Sequence, residues 1–194
     1  MSLTRFIVPI LAFLAALADS QLRLNVTAIG AANGVSTLEC WEVDSPFHTS
    51  SDSATKGASV AILGNVSTLT WAVMPPGHVD QHNTPYNQQV HMSLPAAGRP
   101  FANYCRWVVL LKGFGQITLP HDNTTGAYIT GGEFGVIFAA DTSDVSCDGH
   151  ISTNIGSTEF VSLMISTQDG TVPEHEILHT GPCVAEEMAG WRMG

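Results

Sequence analysis

Charge is scarce in this chain. Only 12% of its 194 residues are acidic or basic, and 7 Lys and Arg face 17 Asp and Glu, for a net charge of −10. The cations form no cluster: Arg23, Lys56, Arg99, Arg106, Lys112 and Arg192 are scattered. A nucleic-acid surface, which needs a basic patch, is thereby excluded. Beyond the N-terminal residues no apolar run is long enough to span a bilayer. Also missing are a Gly-x-Ser-x-Gly elbow, a glycine-rich phosphate loop, a dinucleotide fingerprint and any long internal repeat, which removes the commonest hydrolase, kinase, dehydrogenase and solenoid readings. Where cations are so few, one placed inside the fold is informative, and Arg106 is the best candidate.

The first residues are of another kind. Residues 1–20 carry Arg5, an apolar run over 6–17 and small residues at Ala16, Ala18 and Ser20, the pattern of a secretory signal peptide. Residues 21–194 then form one domain, soluble, without a membrane span, and in the secretory pathway or outside the cell. Cys40, Cys105, Cys147 and Cys183 make an even count, for which a secreted chain favours two disulfides, with all three pairings open. Asn25-Val-Thr, Asn65-Val-Ser and Asn123-Thr-Thr are glycosylation sequons near expected strand ends or turns.

Short alternating or apolar segments follow one another. Residues 22–29 and 35–43 read as a hairpin about the Asn33-Gly34 turn. Further strands are expected at 59–63, 67–74, 88–94, 127–129, 135–140 and 159–166, and a short helix at 184–193. The organising stretch is 104–119. Trp107 to Leu111 is apolar throughout and demands cover on both faces, and Gln116 to Leu119 alternates, which together predict a central hairpin. Arg106 and Trp107 are neighbours and so point to opposite faces of their strand. The long polar segments at 75–86, 95–102 and 141–157 read as loops, the last pinned by a disulfide through Cys147. The sum is an all-β single domain: an antiparallel β-barrel, or a barrel-like sandwich, wide enough to hold a small ligand.

Two motifs invite a metal. His175-Glu-Ile-Leu-His179 matches the zinc-protease pattern, but Pro173 and Gly181-Pro182 leave no room for its helix, and an extended segment is the expectation. His78-x-Asp80-x-His82, with His91 downstream and His150-Ile-Ser-Thr-Asn154 later, raises a cupin-like metalloenzyme but lacks the His-x-His pair. No metal or other cofactor is therefore assigned. Glu133, Asp141 and Glu159 lie near strand ends without a spacing that selects them as paired carboxylates. What remains is an aromatic and apolar inventory around a few polar groups, the usual make-up of a small-molecule site. Arg106, Tyr128 and His78 are the candidate catalytic residues, and Trp71, Met74, His82, Trp107 and Phe138 the candidate substrate-binding ones.

The signal peptide, Trp71-Ala-Val-Met-Pro-Pro-Gly-His78, Tyr104-Cys-Arg-Trp-Val-Val-Leu-Leu111 and Gly181-Pro-Cys183 resemble those of small secretory fungal proteins. Among these the chain looks most like the hetero-Diels-Alderases of tropolone sesquiterpenoid biosynthesis. That resemblance implies a cofactor-free β-barrel that joins a tropolone-derived o-quinone methide to an alkene of a humulene-type sesquiterpene. It also implies small apolar and tropolone-like substrates, and a homodimer is compatible with it. Arg106, Tyr128 or a loop histidine would hydrogen-bond the heterodiene carbonyl. The reading from another class is a secreted ligand-binding barrel glycoprotein without catalysis.

Overall fold

A computed structural model of the protein describes residues 22–82 and 105–189. The expected signal peptide, the strand at 88–94 and the loop at 95–102, with Tyr86, His91, Arg99 and Tyr104, lie outside the described residues. The elements are β1 (Leu24–Ala32), β2 (Val35–Val43), β3 (His48–Thr49), β4 (Ser59–Val60), β5 (Val66–Met74), β6 (Val79–His82), β7 (Arg106–Lys112), β8 (Phe114–Leu119), β9 (Asp122–Thr130), β10 (Val136–Ala139), β11 (His150–Asn154), β12 (Phe160–Thr167), β13 (His175–Thr180) and a single helical turn, α1 (Ala185–Ala189).

The protein is all-β. A seven-stranded sheet in the order β13-β2-β1-β10-β7-β12-β5 packs on a four-stranded sheet in the order β6-β11-β8-β9, and β3 with β4 forms a small ribbon. Among the described residues the sheets lie face to face as a sandwich and do not close into a barrel. Nor is the pairing antiparallel throughout: β1 runs parallel to β10, with Thr27 opposite Ile137 and Ile29 opposite Ala139.

The β1–β2 hairpin forms as its turn chemistry requires. Asn33 and Gly34 adopt φ of 53° and 82°, the left-handed pair that sets two strands to the right twist. The central hairpin does not form. β7 pairs with β10 and β12 in the large sheet, whereas β8 pairs with β9 and β11 in the small one. Gly113, at φ 106°, makes the corner, and a Cβ there would lie 2.8 Å from Glu159 O and Phe160 Cα. A strand apolar on both faces needs two cores, and stepping β8 onto the opposite sheet provides one of them.

Two cores result, one on each face of the large sheet. Between the sheets lie Ile29, Leu38, Leu110, Ile117, Leu119, Ile129, Ile137 and Phe160. On the far face Trp41, Trp107 and Phe138 pack with Val26, Ala28 and Val43, and Leu63 from the segment before β5 covers them. Trp107 meets Phe138 edge-on at 4.9 Å and Trp41 meets it at 5.7 Å, arrangements that add to simple burial. Glu39 is buried on this same face. Trp41 Nε1 donates to it at 2.6 Å and Thr37 Oγ1 at 2.7 Å, and Gly30 leaves room for its carboxylate, which a Cβ there would meet at 2.9 Å.

One disulfide, Cys40–Cys183, ties β2 to the segment after β13. The second expected disulfide is absent: Cys105 is a buried thiol and Cys147 an exposed one. Burial raises the Cys105 thiol to about 11, with Asp144 adding to the rise. The loop at 141–157 is therefore not pinned through Cys147 sulfur. Its polar side chains hold it, as described below, and its last part is strand β11. The His175–His179 motif is strand β13, paired with β2, and no helix.

Candidate functional site

A cavity opens between the sheets, with about 60 Å³ of free volume, several times the about 10–15 Å³ that one water needs. Its walls are apolar: Ile29, Met74, Val108, Leu110, Ile117, Ile129, Ile137 and Phe160. Its polar groups are Arg106 from β7, Asp80 from β6, His150 and Ser152 from β11 and Ser162 from β12. The positions follow from strand alternation. Arg106, Val108 and Leu110 face the cavity, while Trp107 between them turns to the aromatic core.

Arg106 is the central group. It is buried, and its Nη1 donates to Met164 Sδ at 3.2 Å, a weak acceptor for a cation. Burial lowers its pKa from the usual guanidinium range, opposed by the charge of Asp141. A guanidinium in an apolar cavity, beside one soft thioether acceptor, favours a ligand that brings an oxygen acceptor.

Beside it stands an Asp–His pair. Asp141 and His150 are both buried, with His150 Nδ1 2.8 Å from Asp141 Oδ2. Ser36 Oγ donates to the same oxygen at 2.8 Å. The contact orients the imidazole and makes Nδ1 the nitrogen that shares a proton with the carboxylate. The chain brings these groups together through the loop between β10 and β11, which begins at Ala140 N donating to Ile29 O and ends with His150 opposite His82 across the β11–β6 ladder.

Comparison of the chain with family models, curated proteins and solved structures finds no match. The site is therefore read from its own residues. Of the candidates named from sequence, Arg106 and Met74 line the cavity. Trp107 and Phe138 are buried behind it in the aromatic core. Trp71 is 63% exposed on the outer face of β5, and Tyr128 is 64% exposed on β9, stacked on Phe114 at 6.0 Å. His78 is exposed just before β6. His82 is the last residue of β6, and its side chain lies outside the described residues. In place of these, Asp80, Asp141, His150, Ser162 and Met164 come to the site. Asp141 and His150 are nine residues apart in a polar stretch whose spacing does not announce the pairing, and Ser36 on β2, over a hundred residues upstream, donates to the same carboxylate.

The other histidine motif resolves into a structural contact. His179 Nε2 lies 2.9 Å from Glu187 Oε1, and their ligand atoms lie within 4.8 Å of Cys40 Sγ. That sulfur is bonded to Cys183, so the group serves to dock α1 against β13.

Proposed function

We propose that the cavity between the sheets binds a small apolar molecule bearing a carbonyl or enol oxygen, and that it does so as a cofactor-free hetero-Diels-Alderase. The substrates in this reading are a tropolone-derived o-quinone methide and a humulene-type sesquiterpene. The observation that carries it is the buried Arg106 guanidinium among apolar walls. Arg106 would donate to the heterodiene oxygen, a bond that strengthens as negative charge grows there in the transition state. Met74, Val108, Leu110 and Phe160 would hold the apolar partner against it, and such positioning can remove about 7–11 kcal/mol of barrier at best.

Passage through the secretory pathway belongs to the same proposal. The Cys40–Cys183 disulfide suits an oxidising compartment, and no described helix is long and apolar enough to cross a membrane. Asn65 and Asn123 are exposed and open to a glycan. Asn25 Nδ2 instead donates to Glu187 O at 3.1 Å, so a glycan there would displace α1.

One observation favours a binding protein without catalysis: free volume of about 60 Å³ takes part of one partner more readily than two. Incubation of the purified protein with a quinone-methide precursor and a humulene alcohol, with adducts resolved by chiral chromatography, separates the two. A faster reaction giving one stereoisomer, lost in Arg106→Leu, supports the enzyme. An adduct mixture equal to the protein-free control refutes it for this pair, and retained tropolone binding would then favour the binding protein.

A further inference from the structure

We infer that a proton relay runs through the protein from surface His121 to His150 in the cavity wall. Five side-chain contacts make it continuous. His121 Nδ1 is 2.6 Å from Asp148 Oδ2, and Ser146 Oγ donates to Asp148 Oδ1 at 2.9 Å. The Ser146 and Ser36 hydroxyl oxygens are 2.7 Å apart. Ser36 Oγ is 2.8 Å from Asp141 Oδ2, which is 2.8 Å from His150 Nδ1. The outer end is wet, since the His121 side chain is 39% exposed, and Ser146, Ser36, Asp141 and His150 are buried.

The chain is built to move a proton and not only to brace the loop. Its middle has three oxygen–oxygen contacts, Asp148–Ser146, Ser146–Ser36 and Ser36–Asp141, yet two hydroxyls supply only two hydrogens. At any instant one contact lacks a hydrogen, and either serine can fill the Ser36–Ser146 contact by turning its hydroxyl away from its carboxylate. Each hydroxyl can then receive a hydrogen on one side and release its own on the other. From a doubly protonated His150 imidazole the Nδ1 hydrogen passes to Asp141 Oδ2, leaving the neutral Nε2–H form. The Ser36 and Ser146 hydroxyl hydrogens each shift by one contact toward Asp148, and His121 hands a proton to a surface water, which leaves as hydronium. The reverse passage returns a solvent proton to Nδ1. Nothing is oxidised or reduced. Other charges border the path: Asp141 acts on the buried Arg106, and burial pushes the Asp148 carboxyl up while donors from Ser36 N, His121 and Ser146 outweigh it and hold it below the usual range. The cavity thus gains acid–base capability without admitting bulk water, whichever molecule occupies it.

Proton exchange at the His150 Nδ1–H, read by NMR of the 15N-labelled protein without any ligand, tests the relay. His121→Gln and Ser146→Ala are each expected to slow that exchange about 10²-fold, the low end of what a positioned proton carrier contributes, while His48→Gln, outside the chain, leaves it unchanged. Added imidazole should restore the rate in His121→Gln, where the break is exposed, and not in Ser146→Ala, where it is buried. Should Ser146→Ala fail to fold, His121→Gln and its imidazole rescue carry the test alone. Wild-type exchange in a folded variant of either kind, or equal rescue of both, would overturn the relay.

Discussion

The two faces of the large sheet each bury a charged side chain carried by the sheet's own strands, Glu39 on β2 and Arg106 on β7, and they treat it in opposite ways. On the aromatic face Glu39 receives hydrogens from Trp41 and Thr37, and Gly30 leaves just the space that its carboxylate fills. On the cavity face Arg106 donates to a thioether and borders free volume. A buried charge is costly unless its bonds are met. The Glu39 face meets them internally and is finished as structure, whereas the Arg106 face leaves its strongest donor where a ligand can use it.

The largest expected effect separates the faces by stability. Phe138→Ala, at the centre of the aromatic core, should cost about 3–5 kcal/mol in urea unfolding. Arg106→Met should leave urea stability the same or higher, because a buried cation is replaced by an apolar chain of similar length, yet lower the proposed cycloaddition rate by about 10²–10³. A large stability loss in Arg106→Met would place Arg106 with the structural residues and break the contrast. Trp107→Phe is a finer probe. Its indole N–H is buried without a partner among the described residues, so deleting it relieves a penalty that offsets the lost packing, and a net cost of about 1 kcal/mol or less is expected.

The smallest effect is electrostatic and lies away from both faces. Hydrogen bonds to Thr180 O and then Glu187 raise the His179 pKa. A raised value means the folded state holds the proton more tightly, so this contribution is fully present below the ordinary histidine range and is lost as pH rises through the raised value. The thermal midpoint of the native protein should therefore exceed that of Glu187→Gln at about pH 5 and converge on it toward about pH 8. A gap that widens with pH would contradict the sign.

Much of the strand pattern was legible in the sequence because it rests on local chemistry. The Asn33-Gly34 turn and the alternation around it are enough to place β2 at Val35–Val43. The Arg106–Trp107 neighbours announce two faces, which the fold keeps apart. What was not legible depends on distant partners. Phe114 to Leu119 follows Leu111 closely enough to suggest a hairpin, but both faces of β7 are already claimed by cores, and the Gly113 corner sends β8 to the other sheet. Four cysteines suggest two bridges, but Cys105 is enclosed in the aromatic core while Cys147 lies exposed on the β10–β11 loop. The Asp141–His150 pair sits in a stretch whose composition reads as loop, and its order comes from Ser36 on β2. Trp71 and Tyr128 were expected at the site as large aromatics, but their parity on β5 and β9 turns them to the outside.

The most direct test is to titrate tropolone into protein labelled with 13C at the methionine methyls. Met74 and Met164 line the cavity, whereas Met188 lies on α1. Saturable shifts of the Met74 and Met164 methyls, absent in Arg106→Met at the same concentrations and with Met188 unmoved, are the predicted result. Shifts confined to Met188, or undiminished cavity shifts in Arg106→Met, would contradict the claim that this face of the sheet and its buried cation form the binding site.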